Sequence, residues 1–462
     1  MEEKQTIIDA LDKLDPETLV AWDKTYLWHP FTPMKQYMAG DPVIIRRGQG
    51  VKLEDIHGNW YYDGTSSIWL NVHGHNVPAL NAAIEAQLRR VAHATMLGQA
   101  NVPAIALAKR LIDVAPPGLK RVFYSDSGAT AVEIALKMAV QFWANQGQRT
   151  KRYVLGFTNN YHGDTLGAVG VAPDPLFHWP FLDLLPGHPR VPYPYPHDRL
   201  VESLEAVETL LRTRNQELAA VIVEPVEGAG GILPAPPGFL QALRALCDRY
   251  NVLLIVDEVA TGFGRTGRLF ACEAEGITPD LLCLGKGLTG GYLPLAATLT
   301  TERVFEAFLG EIEERKTFFH GHSYTGNPLG CAVALASLEL LLELLPTLPA
   351  KAERLRAGLV QLAAHPFVAE LRQAGFMVGI EIVADRASRT PFPYGAQVGF
   401  IVAGHARRRG MLVRPIGSVL IFMPPLAATE AELDEMTDIL RTAFADALPE
   451  LESLAQKIRQ EA

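Results

Sequence analysis

The chain has only four cysteines in 462 residues, Cys247, Cys272, Cys283 and Cys331, and no two stand in C-x-x-C spacing. That scarcity argues against a disulfide-stapled secreted scaffold and against a zinc ribbon. It suits buried thiols in a reducing, cytoplasmic setting. An excess of basic charge is missing too: 42 Lys and Arg stand against 51 Asp and Glu, a formal net charge of −9, which gives no footprint for a nucleic-acid partner. Long uninterrupted apolar runs are absent. The longest apolar stretch, residues 331–345, carries Glu339 and Glu343 four apart on one helix face, so it reads as an amphipathic helix and not as a membrane span. The first 17 residues are too charged for a signal peptide, and no internal repeat or low-complexity tract is visible. What is present is ordinary globular material, 48% hydrophobic and 20% charged, long enough for two or three domains and a sizeable core.

The stretch 251–291 organises the rest. Residues 252–256 form a short unbroken apolar run, as expected of a strand buried on both faces of a parallel sheet, and it runs into Asp257 and Glu258. A second apolar run, 281–284, runs into Gly285-Lys286-Gly287. An acid and a lysine thus stand at the carboxyl ends of two buried strands, where open α/β sheets bind ligands. One cofactor needs this pair. Pyridoxal phosphate carries an aldehyde that a lysine captures and a pyridine nitrogen whose proton a buried carboxylate holds. Lys286 and Asp257 are the candidates; the bland reading of either alone is an exposed charge.

Two competing motifs carry less. Gly262-Phe263-Gly264-Arg265-Thr266-Gly267 matches the dinucleotide pattern G-x-G-x-x-G. However, Asp257 and Glu258 would repel a pyrophosphate there, and no acid follows at ribose distance. The glycines are expected to fold a tight loop that presents Arg265. His73-Gly74-His75 and His320-Gly321-His322 suggest a metal, but two such pairs far apart do not make a ligand set, so these read as loop histidines and no metal is expected.

Along the chain, residues 1–27 read as a polar helix leading into a loop. Leu27 to Pro33 is irregular because of its two prolines, with aromatics expected to plug a core edge. Strands are expected at 43–45, 51–54 and 60–63, helices at 78–91 and 102–114, and a strand at 121–124. A helix then opens at Ser127-Gly128-Ala129 and runs to Ala144, with Thr130 and Glu133 in capping-box spacing and Ser127 as another cap. Such a helix start is a ready anion site. Residues 153–157 read as a strand leading to Tyr161, which can stack on a flat ring. The Pro-rich stretch 173–197 reads as a surface excursion, and 219–223 as a buried strand ending at Glu224. Alternation from about 121 to 300 implies a mostly parallel sheet. Beyond Pro328 come a helix at 329–345, strands at 377–382, 411–414 and 419–422, a helix at 397–409 and a last helix from Glu430, which suggest a smaller α+β domain.

Ile255-Val256-Asp257-Glu258-Val259, Gly262-Phe263-Gly264-Arg265, Pro279-Asp280 and Gly285-Lys286-Gly287 together resemble the signature of the class III (ω) aminotransferases, over nearly the whole chain. A narrower resemblance, to the biotin-pathway 8-amino-7-oxononanoate aminotransferases, is carried by Trp28-His29-Pro30-Phe31-Thr32, Val72-His73-Gly74-His75, Tyr124-Ser125-Asp126-Ser127-Gly128, Tyr161-His162-Gly163-Asp164-Thr165 and the segment Ala260 to Gly267. The rivals are another class III ω-amino-acid transaminase and a non-catalytic regulatory protein on the same fold.

The resemblance implies the fold-type I α/β architecture. A large pyridoxal-phosphate domain (63–328) has a mostly parallel seven-stranded sheet, a smaller α+β domain follows (329–462), and an N-terminal segment (1–62) packs with the latter. It implies Lys286 as the Schiff-base lysine and proton shuttle, Asp257 on the pyridine nitrogen and Tyr161 stacked on the ring. Ser127, Gly128 and Ala129 would lie at the phosphate. A serine is common where Ala129 stands, so the backbone N–H serves there alone. Ser323 stands where the family has a threonine that reaches the phosphate across a homodimer interface, and Glu224 is an acid near the site. Phe31, Trp69, Gly321, Arg265 and Arg414 would line the substrate pocket, the two arginines on carboxylates. Relatives that use S-adenosylmethionine carry tyrosine where this chain has Phe31. The missing hydroxyl therefore favours L-lysine as amino donor, with S-adenosylmethionine left open as the family's commoner choice.

Overall fold

The computed structural model describes residues 7–11 and 13–461; the expectation of a helix falls outside these at residues 1–6 and 12. The central element is a seven-stranded sheet. Its order is Leu119–Ser125, Ala296–Thr301, Leu281–Leu284, Leu253–Asp257, Leu218–Val223, Tyr153–Phe157 and Arg190–Val191. Every strand is parallel to its neighbours except Ala296–Thr301, which is antiparallel to both. The three central strands Leu218–Val223, Leu253–Asp257 and Leu281–Leu284 are buried throughout, which is why they read as unbroken apolar runs.

Their period of two decides which helix each face meets. Leu253 and Ile255 pack with Ala135, Phe142 and other residues of helix Gly128–Asn145. Leu254 and Val256 point to the other side, toward Phe239 and Leu243 of helix Phe239–Arg249. Each such aliphatic side chain contributes about 1.5–3 kcal/mol by leaving water, and the two helices clamp the sheet between them.

Two smaller sheets complete the chain. Ile45–Gln49, Lys52–Asp55 and Trp60–Asp63 form an antiparallel meander, and Met411–Leu412 joins it parallel to Trp60–Asp63. Val368–Ala374, Met377–Asp385, Val419–Phe422 and Arg414–Ile416 form an antiparallel sheet, with Thr390–Pro391 on Met377–Asp385.

Several expectations are corrected. The first strand is Ile45–Gln49, not 43–45, because Gly50 at φ +55° closes a tight turn between Gln49 and Lys52 and so sets the register. The run 411–414 is split: Met411–Leu412 belongs to one sheet and Arg414–Ile416 to another. The Pro-rich excursion is not all surface. It supplies the edge strand Arg190–Val191, and Val191 and Tyr193 are buried; an edge position tolerates the flanking prolines. The described N-terminal residues form two helices, Ile7–Leu11 and Pro16–Tyr26, the second started by the Asp15 carboxylate accepting from Thr18 N. The aromatics after it are not buried core plugs, for Trp28 is 88% and Phe31 58% exposed.

Residues Pro328–Ala364 have the length and apolar composition to cross a membrane. They are nevertheless interrupted by the turn Leu345–Thr347. The first segment, Pro328–Leu344, packs against helices Pro78–Leu88 and Val102–Val114 through its buried face while Glu339 and Glu343 stay exposed. It is an amphipathic core helix.

Candidate active site

The parallel strands of the large sheet deliver their polar residues to one edge. Asp257 ends its strand, Glu224 follows Val223, Lys286 stands two residues past Leu284, Ser127 two past Ser125 and Tyr161 four past Phe157. They meet around a cleft of about 420 Å³ lined by Trp69, Ser127, Gly128, Ala129, Tyr161, Asp164, Glu224, Asp257 and Lys286 among others. Such a crevice at strand carboxyl ends is where α/β sheets place ligands.

Asp257 is fixed before anything binds. Its Oδ2 meets His162 Nδ1 at 2.7 Å and its Oδ1 accepts from Val259 N at 3.0 Å. His162 is buried, and its Nε2 has no partner among the described residues. Glu224 Oε2 accepts from Tyr161 N at 2.8 Å, and its Oε1 from Gly228 N at 3.3 Å; burial pushes this carboxyl up. The Tyr161 hydroxyl donates to Asp164 Oδ2 at 2.7 Å, and burial together with that acid raises its pKa. Lys286 sits at φ +40° between its glycines, its Nζ 5.4 Å from the centre of the Trp69 ring. Burial depresses its pKa, with Asp257 and Glu224 pulling the other way.

Helix Gly128–Asn145 opens onto the same cleft. Ser127 Oγ accepts from Thr130 N and Thr130 Oγ1 from Ser127 N, at 3.3 and 3.0 Å. The capping box is therefore Ser127–Thr130. The expected Thr130–Glu133 box does not form, because the Glu133 carboxylate is taken by Gly167 N and Ala168 N. Gly128 and Ala129, the first helical residues, have no intrahelical acceptor for their N–H groups. Gly128 is required by space, since a Cβ there would lie 2.4 Å from Val259 Cγ1.

Trp69 reaches the cleft through an unusual backbone. Ser66, Ser67, Ile68 and Trp69 all have φ between +48° and +70°, and Ser67 and Ile68 are fully left-handed. Each such residue costs about 1–2 kcal/mol, and a β-branched one is a true outlier. Polar contacts hold the turn. Asp63 Oδ1 accepts from Ser67 N at 2.8 Å and its Oδ2 from Ser67 Oγ at 2.7 Å, and Ser66 Oγ donates to the Met423 carbonyl at 2.6 Å.

Arg265 is folded inward and not held out on its glycine-rich loop. It is 1% exposed, and its guanidinium donates to the carbonyls of Asn71 and Pro424 at 2.6 and 2.8 Å. Its charge nevertheless acts on Lys286, so it stands near the cleft. Arg414 is exposed and donates to the Phe31 carbonyl at 2.9 Å. The Phe31 ring meets Phe177 edge-on at 6.2 Å, and the next residue, His178, stands 3.9 Å from the cleft residue Asp164. Phe31 and Arg414 therefore sit together outside the cleft lining. Gly321 and Ser323 are exposed and do not line this chain's cleft, although His322 between them stands 3.9 Å from Asp126, the neighbour of Ser127.

His73 and His75 are each held by a neighbouring oxygen. His73 Nε2 contacts the Ser337 carbonyl at 3.0 Å, and His75 Nε2 contacts Asp63 Oδ2 at 3.1 Å. His162, Asp63 and His75 are the roles that sequence reasoning missed. His162 stands inside a motif noted for its tyrosine, and no spacing rule joins it to a residue 95 positions away.

The donor set fits pyridoxal phosphate. Lys286 can take the aldehyde, Asp257 the ring nitrogen, the start of helix Gly128–Asn145 the phosphate, and Tyr161 and Trp69 supply aromatic walls. The model of the class III aminotransferases matches residues 36–444. The adenosylmethionine-8-amino-7-oxononanoate aminotransferase of Aquifex aeolicus is 49% identical over 446 residues, spanning 94% of this chain and 98% of that protein. The crystal structure of the enzyme of that name from Methanocaldococcus jannaschii superposes with a TM-score of 0.91 at 43% identity, covering 94% of this chain and 99% of the other. A PLP-bound amine transaminase from an uncultivated Pseudomonas species gives 0.87 at 35% identity, covering 91% and 99%. With that cleft and these likenesses, the chain belongs to the class III aminotransferases and is a pyridoxal-phosphate-dependent aminotransferase.

Proposed function

We propose that the enzyme transfers an amino group to the ketone of 8-amino-7-oxononanoate, giving 7,8-diaminononanoate for biotin synthesis in the cytoplasm, with S-adenosylmethionine as donor. The observation that carries this is the 49% identity, over nearly all of both chains, to an enzyme named for that donor and acceptor. L-Lysine is the second reading, favoured by the apolar Phe31–Phe177 contact, where Phe31 lacks the hydroxyl of the tyrosine it replaces.

Pyridoxal phosphate, when bound, supplies the electron sink for the carbon that loses its proton. Lys286 Nζ moves that proton, and its burial favours the neutral amine that can accept it. Asp257, oriented by His162 and Val259 N, holds positive charge at the ring nitrogen. Glu224 fixes the backbone of Tyr161 and so the plane of its ring. Trp69 lines the cleft with its ring centre 5.4 Å from Lys286 Nζ. Arg414 at the rim takes the carboxylate end of the keto acid. We assign Ser323 and Gly321, exposed in one chain, to the cleft of a partner subunit in a homodimer.

The test is purified enzyme with 8-amino-7-oxononanoate and each donor, alone and in competition, with the diamine product followed by mass spectrometry. No diamine with any donor overturns the acceptor assignment. Turnover with lysine and none with S-adenosylmethionine replaces the donor, and Phe31→Tyr should then shift preference back. Sedimentation showing a monomer at assay concentration would remove the interface role of Ser323.

A further inference from the structure

The Ser66–Trp69 turn raises a question that the chemistry alone does not answer: what keeps such a backbone from relaxing. Isolated left-handed residues are common, but consecutive ones persist only where their surroundings over-determine them. The contacts converge on one carboxylate. Asp63 is 2% exposed, and its two oxygens hold the Ser67 amide and hydroxyl while His75 Nε2 closes on Oδ2 at 3.1 Å. The His75 ring is also met by Asn71, whose Nδ2 lies 3.2 Å from Nδ1 and 3.4 Å from Nε2 and whose Oδ1 accepts from Gly74 N at 2.6 Å. The Asn71 carbonyl in turn receives Arg265. Both ends of the turn are therefore tied, and Trp69, its last residue, faces Lys286.

We propose that Asp63, braced by His75, is a positioning residue for transamination: it holds Ser66–Trp69 left-handed and thereby sets the Trp69 ring against the Lys286 side of the cleft. Neither Asp63 nor His75 lines the cleft that holds Lys286, so both act through Trp69. The inference rests on Trp69 being a wall of the working cleft.

A double-mutant cycle on the holoenzyme tests it. Asp63→Ala, Trp69→Ala and the double variant are compared by the single-turnover rate of cofactor conversion with whichever amine the wild type accepts. Asp63→Ala is expected to slow this by roughly tenfold or more. The double variant should be no slower than Trp69→Ala alone, because groups acting through one another do not add. Glycine adopts the left-handed region without penalty, so Ile68→Gly should restore much of the rate in the Asp63→Ala background. If Asp63→Ala does not fold, Asp63→Asn carries the same cycle, since it keeps one acceptor and loses the other. Additive losses, or no rescue by Ile68→Gly, overturn the positioning role. A Trp69→Ala variant with wild-type rates overturns it as well, and separately removes Trp69 from the cleft wall.

Discussion

Arg414 donates through Nη2 to the main-chain carbonyl of Phe31, 2.9 Å away and 383 residues earlier in the chain. The bond leaves the remaining guanidinium N–H groups for a ligand, since an arginine has five donors. Arg414→Ala should raise the KM for the keto acid much more than that for the donor. A lost charge-assisted contact is worth about 1.5–3 kcal/mol, so the change should be roughly ten- to a hundredfold. Steady-state kinetics with both substrates varied decides it; equal effects on the two would remove Arg414 from the carboxylate role.

Lys286→Ala should end turnover while pyridoxal phosphate still binds non-covalently. Borohydride reduction and peptide mapping of the wild type should place the label on Lys286. The pH dependence has a definite sign. A free lysine titrates near about 10.4, and burial moves Lys286 below its usual range. The acid limb of kcat, which reports the stage at which Lys286 is the free amine, should therefore lie at lower pH than an unburied lysine would give. A limb at the ordinary lysine value would contradict the burial effect.

Asp257→Asn should fold, because Val259 N and His162 can still meet an amide oxygen or nitrogen. Its turnover should fall on the order of a hundredfold or more, as for loss of a preorganised charge. The cofactor's absorbance spectrum against pH provides a second readout, since the amide no longer stabilises the protonated ring.

Glu227 gives a stability prediction. It is 0% exposed, Asn160 Nδ2 donates to its Oε1, and its Oε2 has no partner among the described residues. Burial raises its pKa well above the usual range, with the Glu224 charge adding to the effect. The folded state thus holds a proton that the unfolded chain releases near about pH 4.3. This contribution is complete below that pH and is lost as pH rises toward the folded value, by up to about 1.4 kcal/mol per pH unit. Glu227→Gln should remove that slope and unfold at higher urea than the wild type at pH 7. Parallel stability–pH curves for the two proteins would show that Glu227 is ionised when folded.

The central sheet and its chemistry were legible in the sequence because they depend on local runs. Buried strands read as apolar stretches, and Asp257, Glu224 and Lys286 each mark the end of one. Contacts made between distant segments were not legible. Nothing in the sequence tells that His162 seats Asp257, or that Asp63 pins Ser67 in a left-handed turn. The inward fold of Arg265 was not legible for the same reason: a glycine-rich loop can present an arginine outward or fold it inward, and the choice lies with the carbonyls of Asn71 and Pro424. The boundaries at 43–45 and 411–414 slipped because turn geometry and sheet partner, not propensity, set them.

The pairing of Trp60–Asp63 with Met411–Leu412 bears on how the protein is made. Tyr62 emerges from the ribosome about 350 residues before its partner Met411. At roughly 5–20 residues per second, the wait is on the order of tens of seconds. Through that interval the strand ending in Asp63 has an unpaired edge, and Ser66 lacks the Met423 carbonyl that receives its hydroxyl. The sheet around Leu253–Asp257 and Leu281–Leu284 can be laid down well before then. Nascent chains therefore acquire the lysine and its acid early and the tryptophan wall late, and a chain stopped short of Met411 carries the reactive groups in a cleft with no finished side.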